Sequence, residues 1–226
     1  MRTPMVKYRS MSKTALITTG ALAAIVISLI LGVRHFLPRW SKVDLTPSTA
    51  LGEVLAEEVG ALLDNSGTVV LVTPDADSWG KGHVAGWKRA RVDSFKRHLA
   101  KKTRLKIKAV AQVAIDAESR MPGRPTWTAE ELLQILQKHG DCGALVTFIG
   151  LPPLSLEALQ SQGDALPKLV VVCDSGVEMA SVNLLLQAGK VQLAVSPRAL
   201  IPLADETVEL SSRQLVERNF QIFGRR

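Results

Sequence analysis

The feature that most constrains this chain is an apolar segment near its N-terminus. Residues Ala15 to Val33, ALITTGALAAIVISLILGV, run for 19 positions without a charged side chain. At about 1.5 Å of rise per residue, such a helix spans roughly 28 Å, close to the ~30 Å hydrocarbon core of a bilayer. In lipid, every backbone N–H and C=O has to be paired within the segment, which a single span achieves only as a helix. The segment therefore predicts one transmembrane helix in contact with membrane lipid.

We interpret this segment as a retained signal anchor rather than a cleaved secretory signal. It is longer than the ~7–15 apolar residues of a signal peptide, and the bulky, charged sequence Gly32–Trp40 offers no small-x-small cleavage site. The N-terminal flank carries four basic residues and no acid, whereas the other flank sets Arg34, Arg39 and Lys42 against Asp44. The positive-inside rule then places the N-terminus in the cytoplasm. We expect a single-pass protein of the inner or plasma membrane, with its domain outside the cytoplasm.

The anchor divides the chain into four parts. Residues 1–14 are a basic cytoplasmic N-terminus, 15–33 the anchor, 34–47 a juxtamembrane linker and 48–226 a soluble domain large enough to bury a core. In that domain five apolar runs alternate with helical patterns: Thr68–Thr73, Leu105–Ile115, Ala144–Ile149, Lys168–Cys173 and Val191–Val195. This alternation predicts an α/β fold with a doubly wound, mostly parallel five-stranded sheet of the flavodoxin-like kind. The tail Phe220–Phe223 is expected to be an edge strand or a packed tail.

Helix starts are predicted at four capping residues, Thr46, Thr128, Ser155 and Ser211. Thr46 precedes Pro47, and proline is common at the first helical position. The longest predicted helix runs from about His83 to Lys102. Its inward stripe is expected to contain the apolar residues at helical spacing, with Lys88 and Arg91 interrupting that face by snorkelling: Val84, Trp87, Val92, Phe95 and Leu99.

Positive charge is concentrated in and after this helix. Between Lys88 and Lys108 the sequence has ten Lys/Arg and one acid, Asp93. Such a patch suits anionic lipid, an acidic protein partner or nucleic acid, but a solvated outer helix face explains it most simply. Trp87 and Phe95 fit a buried stripe better than a base-stacking platform, which argues against nucleic acid. The basic patch consists of Lys88, Arg89, Lys96, Arg97, Lys101, Lys102 and Arg104.

The two cysteines, Cys142 and Cys173, are predicted to remain thiols. One begins a predicted strand and the other ends a neighbouring one, which would separate them by roughly 20 Å in a parallel sheet. A disulfide needs Cα atoms within about 7 Å of each other. The four histidines are isolated from one another and from both cysteines, so the spacing indicates no metal site.

Candidate ligand-binding residues lie in the loops that follow the strands, because open α/β sheets bind ligands at the carboxyl ends of their strands. The candidates are Asp75, Asp77, Ser78, Trp79, Asp116, Asp174, Ser175 and Arg198. Asp75, Asp77 and Asp174 could converge on a cation or a sugar hydroxyl, although Asp and Ser in such loops commonly cap helices. Trp79 beside two carboxylates suits sugar recognition, and its alternative role is an apolar lid on the following helix.

Known catalytic and nucleotide-binding motifs do not fit. Gly80–Ala85 matches G-x-G-x-x-A, but it starts seven residues after Thr73 rather than directly after the strand. The chain has no P-loop and no G-x-S-x-G nucleophile elbow. A phospho-acceptor receiver would need an aspartate after the third strand, where the sequence reads Phe148-Ile149-Gly150. No cofactor and no paired nucleophile and base are indicated.

From Thr68 to about Arg198 the chain resembles one lobe of a type 1 periplasmic, sugar-binding protein. The resemblance lies in an apolar first strand, Asp77-Ser78-Trp79 leading into a Trp-containing helix, a basic second strand and the Thr128-x-x-Glu131 helix start. The strands at Cys142–Val146 and Lys168–Val172 continue it. The resemblance implies a periplasmic-binding-lobe-like fold with loops that grip a sugar. That family closes two lobes on its ligand, and this chain has room for one.

Three functional hypotheses remain open at this point. The leading one is a non-enzymatic, membrane-anchored domain outside the cytoplasm, which binds a partner protein or a small, sugar-like ligand at its strand-exit loops within an envelope complex. The second is a hydrolase or transferase that uses Asp75, Asp77 or Asp174. The third is a structural subunit that docks through its basic helix on anionic lipid or an acidic neighbour.

Overall fold

The computed structural model of the protein describes residues 44–79, 82–115, 127–163, 166–174, 176–198 and 210–224. Several predicted features lie outside these ranges: the N-terminal segment 1–14, the span Ala15–Val33, most of the linker 34–47, Gly80 and Lys81, Asp116 and Ser175. In the ranges that are described, no helix combines the length and apolar character needed to cross a membrane.

Helices and strands alternate along the described chain. The helices are α1 (Thr46–Leu62), α2 (Gly82–Lys102), α3 (Ala129–Lys138), α4 (Leu156–Gln160), α5 (Gly176–Gln187) and α6 (Ser212–Asn219). The strands are β1 (Thr68–Pro74), β2 (Lys106–Val113), β3 (Ala144–Thr147), β4 (Lys168–Val172), β5 (Val191–Pro197) and β6 (Phe220–Gly224). Each of the five predicted apolar runs forms a strand, so the predicted α/β class is confirmed.

The strands form one sheet in the order β2-β1-β3-β4-β5-β6. β1 to β5 are parallel to their neighbours, and the order of these five is the flavodoxin-like one. β6 pairs with β5 in the antiparallel direction, with Phe223 opposite Ala194. The predicted five-stranded sheet is therefore corrected to six strands, because the tail Phe220–Phe223 pairs along β5. Its side chains Ile222 and Phe223 pack against apolar residues on opposite faces of the sheet.

Successive residues of the central strands bury their side chains on opposite faces of the sheet, as a doubly wound fold requires. Val69 and Leu71 belong to a core with α1, α2 and α6, whereas Val70 and Val72 belong to a second core with α3, α4 and α5. β2 lies at the sheet edge, and Lys106, Lys108, Val110 and Gln112 along it are exposed. Exposed and less exposed residues alternate along most of this strand, which reflects its edge position.

The capping predictions are confirmed at three of four helix starts. Thr128 and Ser211 form capping boxes, and Ser155 accepts the backbone N–H of Ala158. Thr46 is instead the first residue of α1, and its backbone N–H donates to Oδ1 of Asp44 at 2.9 Å.

The inward stripe of α2 is only half as predicted. Val92, Phe95 and Leu99 are buried, and the Phe95 ring meets Phe148 edge to face with centroids 5.4 Å apart. Val84 and Trp87 are 54% and 42% exposed, which corrects their assignment to the core. Their part of the stripe lies at the mouth of a cavity, whereas the later part packs on the sheet.

Both cysteines are buried thiols, as predicted, and no disulfide joins them. Burial raises the pKa of Cys142. Among the residues that the structure describes, no three His, Cys, Asp or Glu side chains are close enough to hold a metal ion.

Candidate functional site

A cavity of about 420 Å³ opens at the carboxyl ends of β4 and β5, and we call it the Arg91 cavity. Asp44, Pro47 and Ser48 line it from the start of α1, and Val84, Trp87, Lys88 and Arg91 from the first half of α2. Cys173 and Asp174 follow β4, Pro197 and Arg198 end β5, and Asn219 and Phe220 join α6 to β6. The site thus lies outside the carboxyl ends of β4 and β5, next to the start of α1 and the first half of α2, and not at the β1/β3 switch point of this strand order.

Two cations of α2 share one carboxylate in this cavity. Lys88 and Arg91 are three residues apart, which places them on the same helix face. Lys88 Nζ lies 2.5 Å from Asp174 Oδ2, and Arg91 Nη1 lies 3.2 Å from Asp174 Oδ1. The Arg91 side chain is 9% exposed, whereas those of Lys88 and Asp174 are 28% and 30% exposed. Arg91 is therefore the buried member of this group, and the other two reach solvent.

The guanidinium of Arg91 is incompletely partnered. Its Nε–H is buried and has no hydrogen-bond acceptor within the described part of the chain. Its Cζ lies 6.0 Å from the centroid of the Phe220 ring, a cation–π distance. A buried N–H donor without an acceptor costs about 1–3 kcal/mol. Arg91 thus adds a positive charge to the cavity lining, and its shielded Nε–H has no acceptor among the described residues.

Arg198 and Asp44 are already engaged at the cavity rim. The Arg198 Nε–H donates to the carbonyl of Phe220 at 2.9 Å, and its backbone N–H donates to the carbonyl of Asn219 at 2.9 Å. These bonds tie the end of β5 to the start of β6. Hydrogen bonds from the Thr46 hydroxyl and then the Thr46 backbone N–H lower the pKa of Asp44. The Asp44 carboxylate therefore already accepts hydrogen bonds from the start of α1.

The exit loop of β1, which carries Asp75 and Ser78, is held by its own hydrogen bonds and does not line the Arg91 cavity. Oδ1 of Asp75 accepts the backbone N–H of Ser78 at 2.7 Å, and Ser78 Oγ accepts the backbone N–H of Ile115 at 2.8 Å. Hydrogen bonds from the Ser78 hydroxyl and then its backbone N–H lower the pKa of Asp75. These bonds close the loop against the end of β2. Asp77 is exposed on the same loop.

Trp79 is half-buried against the first core, which agrees with the alternative role of an apolar cover near α2. The Arg89 guanidinium carbon lies 5.7 Å from the centroid of its ring. Trp79 therefore has its own cationic partner and does not line the Arg91 cavity.

The structure accordingly separates the predicted site residues. Asp174 and Arg198 line the Arg91 cavity, whereas Asp75, Asp77, Ser78 and Trp79 do not. The three aspartates form no common cluster, because Asp174 faces Lys88 and Arg91 while Asp75 closes its own loop. Asp116 and Ser175 lie outside the described residues.

The basic patch is divided in a similar way. Lys88 pairs with Asp174 in the cavity, and Arg89 makes a cation–π contact with Trp79. Farther along, Lys96 is half-buried and Arg97 is exposed, with its Nε–H near the Asp93 carbonyl at 3.4 Å. The last residues of the patch, Lys101, Lys102 and Arg104, are exposed at the end of α2 remote from the cavity.

Sequence reasoning missed Trp87 and Arg91 as site residues. The signal for them is present, because Trp87 and Arg91 lie three and seven residues after Val84, on one helix face. What the cavity offers a ligand is a cationic pair, a carboxylate, an exposed indole and apolar walls.

No protein-family model and no curated protein matches this chain. Among solved structures, an arabinose-binding protein from Geobacillus stearothermophilus matches with a TM-score of 0.47 and 17% identity, over 66% of this chain and 45% of that one. A sugar-binding protein of a sugar ABC transporter from Bacillus halodurans matches with a TM-score of 0.47 and 15% identity, over 66% of this chain and 45% of that one. A glucose-galactose binding protein from Geobacillus stearothermophilus matches with a TM-score of 0.45 and 17% identity, over 66% of this chain and 47% of that one.

The chain thus spans about half the length of the sugar-binding proteins it is similar to. These sugar-binding proteins are of the kind that the sequence resemblance named. At these identities and TM-scores the likeness concerns the arrangement of helices and strands, and the ligands of those proteins are theirs.

Proposed function

We propose that this chain is a membrane-anchored, single-pass domain outside the cytoplasm that binds a small, sugar-like molecule in the Arg91 cavity. The proposal rests on one observation above all: Lys88, Arg91 and Asp174 converge in the lining of a cavity of about 420 Å³. Small-molecule sites are typically clefts of about 300–1,000 Å³ with apolar walls and a few placed polar groups. The cavity meets both conditions.

The chemistry of the lining suits a hydroxylated ring. A sugar presents hydroxyl groups that both donate and accept hydrogen bonds, and a face of C–H groups that packs on an aromatic ring. Lys88 and Arg91 supply donors and Asp174 supplies an acceptor. Trp87, which is 42% exposed at the mouth, supplies the aromatic face. Its exposure is explained if the indole is a ligand contact rather than a core residue.

The membrane part of the proposal is supported by sequence. The 19 uncharged residues Ala15–Val33 have the length of a span, and the basic N-terminal flank favours a cytoplasmic N-terminus. A domain tethered in this way is suited to an envelope complex, in which it would present its ligand to a membrane neighbour.

A thermal-shift screen of the full chain in mild detergent tests ligand binding. The panel contains monosaccharides, sugar acids and polyols. A ligand at 100 times its Kd stabilises the folded state by about 2.7 kcal/mol, which raises the Tm by roughly 5–10 °C for a domain of this size. If no compound in the panel moves the Tm of the wild-type chain, the proposal is wrong.

Two matched variants localise any shift to the cavity. Asp174→Asn and Asp77→Asn change exposed aspartates in two strand-exit loops, and only the first residue lines the cavity. We expect the first variant to change the size of the ligand-induced shift and the second to leave it as in the wild type. Trp87→Ala removes a surface indole without opening the core and should lose the shift. Equal behaviour of all three variants would contradict the assignment.

Docking through the basic end of α2 is a second candidate function. Arg97, Lys101, Lys102 and Arg104 are exposed there, and none of them makes an ion pair within the described ranges. An acidic protein partner in the membrane complex would fit this charge. Reversing Lys101 and Lys102 to glutamate should then reduce co-purification of a stoichiometric partner from native membranes. Unchanged co-purification would count against this docking mode.

A further inference from the structure

The balance of charge around the Arg91 cavity is uneven. Its lining holds three cations, Lys88, Arg91 and Arg198, and two carboxylates, Asp44 and Asp174. Asp44 accepts the backbone N–H of Thr46 and so serves the helix start. Asp174 is the carboxylate that both Lys88 and Arg91 contact. Within the described ranges, the pair of α2 cations is therefore compensated by one negative charge, that of Asp174.

Of Lys88, Arg91 and Asp174, Arg91 is the least exposed to solvent, so water screens its positive charge least. Its side chain is 9% exposed, and its Nε–H lacks an acceptor in the part of the chain that is described. A desolvated guanidinium is stabilised when its donors meet oxygen atoms that carry negative charge. Among the residues that the structure describes, Asp174 is the only carboxylate paired with Lys88 and Arg91, which leaves room for a second anionic acceptor from a ligand.

Val84 and Trp87 contribute exposed apolar side chains to the same cavity lining. Val84 and Trp87 are exposed at 54% and 42%, and Leu45, at 37%, lies next to them near Gly86. A bare inorganic anion would leave these side chains uncovered. A ligand that covers them needs a body with a C–H-rich face.

We infer that the ligand is an acidic sugar, whose carboxylate meets Lys88 and Arg91 while its ring lies on the indole of Trp87. This inference rests on the proposed function and specifies its ligand class. A neutral sugar would fill the same space but add no negative charge to the ion pairs that Asp174 makes with Lys88 and Arg91. A cationic ligand would add to the positive excess.

The direct test compares D-glucuronate with D-glucose by calorimetric titration of the full chain in detergent. The two sugars differ only at the acid group. Charge-assisted bonds from an arginine and a lysine are expected to give glucuronate about tenfold or more tighter binding than glucose. Inorganic phosphate serves as the bare anion and is expected to bind at least tenfold more weakly than glucuronate.

Two variants on α2 distinguish a direct contact with the ligand's carboxylate from a long-range effect of positive charge. Lys88→Gln removes a partly exposed cation of the cavity, and Arg89→Gln removes an exposed cation whose partner is Trp79. We expect the first variant to bring glucuronate binding down about tenfold, towards the level of glucose, and the second to leave it unchanged. Equal losses in both variants would mean that only long-range charge matters, which overturns the inference.

The outcomes distinguish this inference from the function on which it rests. If glucose binds as tightly as glucuronate, the acid-group inference is wrong and the sugar site stands. If phosphate binds as tightly as glucuronate, the site takes an oxyanion and the sugar ring plays no part. If neither sugar binds, the inference is wrong, and the thermal-shift panel decides separately whether the cavity takes another small molecule.

Discussion

The contact between α1 and α2 depends on Gly52, and replacing it with alanine should disturb both the fold and the site. A Cβ at Gly52 would lie 2.3 Å from the backbone oxygen of Arg91, 2.8 Å from the backbone nitrogen of Phe95 and 2.9 Å from Cβ of Ser94. Two of these atoms are backbone, so no side-chain rotation can relieve the overlap. The two helices must move apart, and Arg91 moves with α2.

The size of the effect follows from two opposing contributions. Overpacking a well-packed contact typically costs about 1–3 kcal/mol and occasionally more, and a backbone clash at 2.3 Å belongs at the upper end. Alanine regains up to ~1 kcal/mol of helix propensity over glycine. We therefore expect a net loss of about 2–3 kcal/mol in the free energy of unfolding, or roughly 4–12 °C in Tm.

Gly86→Ala is the matched control on the partner helix. A Cβ there meets only Cδ2 of Leu45, at 3.8 Å, which is ordinary van der Waals contact. This variant should be as stable as the wild type or gain up to ~1 kcal/mol. Thermal unfolding of the full chain in detergent, followed by circular dichroism, measures both variants. If Gly52→Ala is as stable as Gly86→Ala, the close crossing that positions Arg91 does not exist.

Three further predictions concern other parts of the domain. The pKa of Asp75 is lowered, so its carboxylate stabilises the fold above its unfolded pKa of about 3.9, and that stabilisation is lost as the pH falls through the lower folded pKa. The Tm difference between the wild type and Asp75→Ala should therefore narrow below about pH 4, and a constant difference would refute this. Thr128→Ala breaks the capping box with Glu131 and should cost about 1 kcal/mol in urea unfolding, whereas no change would show that the box is unimportant. Cys142 and Cys173 are 5% and 1% exposed and should react with a thiol reagent only after denaturation; rapid reaction of the native chain would contradict their burial.

The interior strands could be predicted because their sequences carry both faces of the sheet. Val69 to Val72 form an unbroken β-branched and aliphatic run, and each residue is fully buried in one core or the other. β6 was harder, since five residues beginning at Phe220 form a strand only by pairing with β5. Pairing of this kind depends on tertiary contacts rather than on local pattern.

The candidate site was half predictable for a similar reason. Asp174 and Arg198 follow strands, so the rule for strand-exit loops finds them. Trp87 and Arg91 sit on the same helix face as Phe95, and periodicity alone assigns the whole face to the core. The face divides in the structure because α1 crosses α2 at Gly52, opposite Arg91 to Phe95, and the turns before that crossing line the cavity.

The most direct test of the central claim is the ¹⁵N-indole NMR signal of Trp87 in the full chain, titrated with D-glucose and D-glucuronate. The chain has four tryptophans, and the Trp87 signal is assigned by its loss in Trp87→Phe. The Arg91 cavity as a ligand site predicts that at least one sugar shifts the Trp87 signal while that of Trp127, buried in the second core, stays in place. A shift of the Trp79 signal with Trp87 unmoved would place the ligand at the exit loop of β1 and contradict the assignment.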